Sequence, residues 1–131
     1  MSIKSFHKDQ RVYRANRFME LIASCGRRFF EYKHPDGREV SYFTTSERGH
    51  IYLWNEWKRE LMYVSRYGPY KGFHHGGTLH SLVGGIVEFI KTGSEYFSEG
   101  FFDAKHWAYP AEDMQRIVRH GQLIGLIKKH P

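Results

Sequence analysis

At 131 residues, with 40% hydrophobic and 26% charged side chains, the chain has the size and balance of one soluble domain and lies far from disordered compositions. Its one cysteine, Cys25, excludes an intramolecular disulfide and fits a reducing compartment, while no stretch offers a signal-peptide core or the roughly 20 apolar residues of a membrane span, so a cytoplasmic protein is expected. The net charge of +6 divides as +4 over residues 1–50, +2 over 51–93 and 0 over 94–131, a bias whose field attracts polyanions such as nucleic acid.

The first element is expected to be a helix from about Lys8 to Ser24, because Val12, Ala15, Phe18, Met19 and Ile22 fall on one side at helical spacing. Gly26 supplies its stop, and Arg14 and Arg17 lie on the opposite, solvated side. From Arg27 to Tyr67 the pattern changes to short aromatic and β-branched runs, "RRFFEYK", "REVSYFT", "HIYLW" and "ELMYVSRY". This predicts a four-stranded antiparallel meander. Its first turn is "HPDG", where Pro35 presets φ and Gly37 takes a positive one; "TSERG" closes the second hairpin and "NEWKR" a longer third. Aromatics occupy both parities of the strands, so both sheet faces are expected to carry large side chains.

A core helix follows, with Leu79, Leu82, Val83, Ile86, Val87 and Ile90 in one stripe, Thr78 as N-cap and Gly93 as stop. Gly84 and Gly85 in its middle predict close approach of another element. "PAEDMQRIVRHG" reads as a third helix, with proline at the first position, acids in the first turn and Gly121 as stop. The apolar tail "QLIGLIKK" is expected to add a fifth strand or, failing that, to dock as a short segment. The fold class is thus α+β: one domain over 1–131, with a four- to five-stranded antiparallel sheet and about three helices.

Nine histidines invite a metal or acid–base reading, but neither HxxxH nor CxxC spacing is present, so no metal or cofactor is expected. The glycines of "HHGGT" precede a helix, whose free N–H groups and positive dipole end favour anions; His74, His75, Gly76, Gly77 and Thr78 are therefore a candidate anion site. No P-loop lysine or GxSxG elbow accompanies it, and Cys25 reads as a small buried hydrophobe. The segment from Ile51 to His75 interleaves Tyr52, Trp54, Trp57, Tyr63, Tyr67 and Tyr70 with Lys58, Arg59, Arg66 and Lys71. Such mixtures suit base stacking with phosphate contact, and equally a protein interface. Trp57, Lys58, Arg59, Arg66, Tyr70 and Lys71 are the expected partner-binding residues, with Trp57, Tyr70 and the turn basics exposed at loop positions.

"HGGTLHSLVGGIVEFIKTG" and "AEDMQRIVRHGQLIGLI" resemble parts of the small stand-alone accessory proteins of phages and plasmids, among them anti-CRISPR inhibitors of host defence. That resemblance implies stoichiometric docking on a nucleoprotein effector, with a protein or ribonucleoprotein as partner. The basic charge departs from the acidic, nucleic-acid-mimicking version and disfavours a mimicry mechanism. The leading expectation is a non-enzymatic binding protein, followed by a direct nucleic-acid binder on the same surface with the N-terminal arginines. A small metal- or histidine-dependent hydrolase built on His74, His75 and Glu88 is the third.

Overall fold

The computed structural model describes residues 3–25, 29–66, 68, 70 and 77–129, and they form the expected α+β arrangement. Helix α1 (Ile3–Ser24) is followed by strands β1 (Glu31–His34), β2 (Gly37–Val40), β3 (Phe43–Thr45), β4 (Ile51–Asn55) and β5 (Glu60–Tyr63). Helices α2 (Gly77–Thr92), α3 (Ala104–Trp107) and α4 (Ala111–Ile124) complete the described elements, with a 3₁₀ turn at Glu99–Phe101. Among the described residues no helix is long and apolar enough to cross a membrane.

Helix α1 starts about a turn earlier than its apolar stripe. Ile3 and Phe6 are exposed, so the first turns bury nothing that would register as periodicity. Ala15, Phe18, Met19 and Ile22 are buried as expected. The strands run in meander order, all antiparallel, but the second predicted strand is broken at Ser41 and Tyr42. β2 pairs with β1, and β3 pairs with β4, giving sheets of two and three strands. Both expected glycine turns are present, with Gly37 at φ +148 and Gly49 at φ +80.

Helix α2 is buried on nearly every side from Leu82 to Ile90, which makes it the central element rather than a one-sided amphipathic helix. Gly93, at φ +77, ends it, its N–H bonding the Phe89 carbonyl at 2.8 Å. The core around it gathers Phe18, Met19 and Ile22 from α1, Phe43, Ile51, Leu53 and Met62 from the three-stranded sheet, and Phe97, Phe102, Trp107 and Tyr109 from the aromatic segment before α4.

Three boundary expectations are corrected. Thr78 is inside the first turn of α2, not its N-cap, and its hydroxyl meets His106 Nε2 at 2.8 Å. Gly121 does not stop α4: the helix runs on to Ile124 and ends at Gly125, φ +87, because Gly121 is a packing glycine against Ile127 and Phe18. With residues 122–124 taken into α4, the tail is too short for a fifth strand. It docks instead, through one parallel bridge between Phe97 and Ile127.

Candidate interaction surface

The turn between β4 and β5 is built by Asn55. Its buried side-chain oxygen accepts the backbone N–H groups of Trp57 and Lys58, each at 3.0 Å, and its carbonyl accepts from Arg59 N–H at 2.7 Å. Arg59 closes the loop in the left-handed region, at φ +56, a conformation that costs a non-glycine residue about 1 kcal/mol. From there its guanidinium reaches the β1–β2 turn. It holds both Asp36 carboxylate oxygens, at 2.5 and 3.1 Å, and lies 3.5 Å from Glu39. These hydrogen bonds keep the Asp36 carboxyl below its ordinary range and raise Arg59. A second link joins the same turns, His34 Nε2 donating to the Glu56 carbonyl at 2.6 Å.

Two hairpin tips are thereby stapled into one surface, on which Trp57 is 53% exposed with the ring of Tyr32 edge-on at 6.4 Å. Trp57, Lys58 and Arg59 share this turn, and Arg59 serves mainly as the staple. Arg66 is exposed but lies beyond the far end of β5. Tyr70 corrects the expectation of exposure: it is 5% exposed, stacked on the ring of His80 at 5.0 Å within the core cluster. Lys71, His74, His75 and Gly76 lie outside the described residues. Of that candidate anion site, Gly77 and Thr78 are seen as the first residues of α2. Glu88, the acid of the hydrolase reading, lines a cleft with Ser65, Tyr70, Lys91 and Tyr96. No group of three or more His, Cys, Asp or Glu is placed to hold a metal among the described residues. Cys25 is half-buried, with its thiol on the Leu21 carbonyl, and burial raises its pKa, as suits a packing rather than a nucleophilic cysteine.

The three-stranded sheet carries large side chains on both faces, as expected, but the sequence did not show that the outer face would stay exposed. Ile51, Leu53 and Met62 point into the core, which leaves Tyr52, Trp54, Leu61 and Tyr63 on the other side. Tyr42 stacks on Trp54 at 5.9 Å and 14°, and Tyr52 meets Tyr63 edge-on at 5.6 Å. The signal was present as the alternation I-Y-L-W in β4, where both parities are apolar. Also unforeseen is a cluster of cations that ties α1 to α2 and both helices to the segments before β4 and after β5. Lys8 donates to the Gly49 carbonyl, Lys91 to Ser65, and Arg11 to the Ile90 carbonyl at the end of α2. The Lys8 ammonium is lowered, first by burial and then by the charges of Lys91 and Arg11.

A model of the family described as YoqU matches residues 6–130, nearly the whole chain. The chain belongs to the YoqU family. It is 28% identical over 121 residues to the SPbeta prophage-derived uncharacterized protein YoqU of Bacillus subtilis (strain 168), covering 91% of this chain and 84% of that protein. This similarity supports the phage-borne character that the sequence resemblance implied and does not extend to inhibition of host defence. No solved structure matches the chain.

Proposed function

We propose that this member of the YoqU family works by binding rather than by catalysis, docking on a nucleic-acid-handling protein complex of its host in the manner of anti-CRISPR-like accessory proteins. The observation that carries the reading is Trp57. It is a large, half-exposed ring on a turn already fixed by Asn55 and by the Arg59–Asp36 pair. Tryptophan beside tyrosine and arginine is the composition of interface hot spots, and a turn ordered before binding loses little entropy on docking. The prophage origin of the relative in Bacillus subtilis is consistent with an accessory protein that meets host machinery.

The test is capture from host lysate on immobilised protein, with and without nuclease, comparing wild type with Trp57→Ala and with Trp57→Ala/Lys58→Ala. The expected result is a protein partner that survives nuclease and is lost with Trp57→Ala while the melting temperature is unchanged. Equal capture by the natively folded variants would remove the hairpin tips as the docking surface. Arg59 is left in place because its loss would also remove one of the two links between the turns.

A further inference from the structure

An antiparallel sheet with one face on the core ordinarily shows polar side chains on the other. The outer face of β3–β4–β5 shows rings. Tyr42, Trp54 and Leu61 lie side by side across the strands, and the next row sets Thr44, Tyr52 and Tyr63 abreast. Beyond them the exposed ring of His50 packs on Tyr63 at 5.7 Å. Tyr42, Leu61 and Tyr63 keep 41%, 50% and 43% of their surface exposed, so this face is open to an occupant.

The charge around the face is uneven along the strands. At the His50 end, Gly49 and Ser65 receive the ammonium groups of Lys8 and Lys91, Arg11 stands beside Lys91, and Arg48 and Arg66 are exposed on the flanking residues. Asp9, Glu47 and Glu88 lie on the same segments, yet among the described residues none forms an ion pair with these five cations. At the opposite end Glu31, Asp36, Glu39, Glu56 and Glu60 are nearly balanced by Lys33, Arg38, Lys58 and Arg59, so no cationic excess gathers there. A polyanion is therefore drawn to the His50 end, next to the rings.

We infer that this face binds a single strand of nucleic acid, with bases stacking on Tyr63, Tyr52 and Trp54 and phosphates held by Arg66, Arg48 and Lys91. Every base has a face that can stack, so the recognition is indifferent to base and sugar, and a duplex, whose bases are already stacked, fits poorly. The face shares no residue with the stapled hairpin tips, and the inference does not rest on docking there.

The experiment titrates the full chain into fluorescein-labelled oligothymidine and oligouridine of about fifteen nucleotides, and into a duplex of the same length, following anisotropy. Both single strands are expected to bind with similar affinity and the duplex about ten-fold more weakly or worse. Tyr63→Ala should weaken single-strand binding about ten-fold and Tyr63→Phe should retain it, which separates stacking from folding. Leu61→Asp, at a half-exposed position, should abolish binding by setting a negative charge among the rings. Arg48→Gln with Arg66→Gln should flatten the plot of log affinity against log salt by about 1.4, since each phosphate contact on a single strand contributes about 0.7. No anisotropy change with either strand, equal affinity for the duplex, or unchanged affinity in both Tyr63→Ala and Leu61→Asp would overturn the inference. Loss of a captured protein with Leu61→Asp, where neither oligonucleotide binds, would assign the face to a protein and overturn it as well.

Discussion

Phe97 and Ile127 pair in a single parallel bridge, and each presses against a helix glycine, Phe97 on Gly85 of α2 and Ile127 on Gly121 of α4. The bridge thus locks the C-terminal tail and the aromatic segment into the space two missing side chains leave. A Cβ at Gly85 would stand 2.1 Å from Phe97 Cζ and 2.6 Å from Tyr96 Cδ1, and one at Gly121 would stand 2.3 Å from Ile127 Cδ1. Alanine gains about 1 kcal/mol of helix propensity over glycine. Overpacking a full core costs about 1–3 kcal/mol and occasionally more, so the overlap wins at both sites. Gly85→Ala should cost more than Gly121→Ala, because the Phe97 ring lacks the torsional freedom that lets the Ile127 end turn aside. Thermal melts of the two variants decide this; a stabilised Gly85→Ala would mean that the aromatic segment is free to move off α2.

The edge of β3 is protected by a side chain rather than by a strand. Phe43 faces Leu53 in a pair whose backbone groups point away from β4, and the Asn16 carboxamide meets both of them. Its Nδ2 donates to the Phe43 carbonyl at 2.9 Å, and its Oδ1 accepts the Phe43 N–H at 2.6 Å. Asn16→Ala strands both groups at a part-buried position, so a loss of about 1–2 kcal/mol is expected in urea unfolding. It also bares an edge suited to pairing with another chain, so aggregation on heating should rise. Asn16→Asp should not rescue stability, since a carboxylate oxygen would then oppose the Phe43 carbonyl. An unchanged urea midpoint in Asn16→Ala would show that water replaces the amide at no cost.

What was legible in the sequence follows from range. The turns at Gly37 and Gly49, the stripe of α1 and the stop at Gly93 rest on neighbours within a few residues, and local chemistry specifies them. Gly121 and Gly125 are chemically alike in the sequence, and only the distant Ile127 and Phe18 make one a packing contact and the other a cap. Tyr70 fails for the same reason: it sits at a loop position, but its ring is taken up by His80 and the core. The Trp57 tip was legible as a turn, whereas the Arg59–Asp36 staple spans 23 residues and needed the fold. Large side chains on both faces were legible, but not which face stays open, because an apolar residue on either parity reads as core until the helices are placed, and both α1 and the buried α2 join the core gathered on the inner side.

His120 makes the fold sensitive to mild acid. Its ring lies 6.0 Å from that of Phe18, and its Nε2 is shielded without a hydrogen-bond partner among the described residues. Burial, and then the charge of Arg17, lowers its pKa from 6.5. The unfolded chain therefore takes up a proton at a pH where the folded one still resists it, and stability rises with pH wherever the unfolded state binds more protons. On acidification the loss begins near the unfolded value and is complete below the folded one. Between about pH 7.5 and 5.5, above the titration of most carboxyls, the free energy of unfolding should fall as pH falls. His120→Leu removes this group while keeping an apolar side chain against Phe18, so its stability should fall less steeply than the wild type's over that window. The check is urea unfolding of both proteins across the window, paired with a histidine titration by NMR. A wild type no steeper than the variant would mean that the ring opens to solvent and accepts its proton without cost.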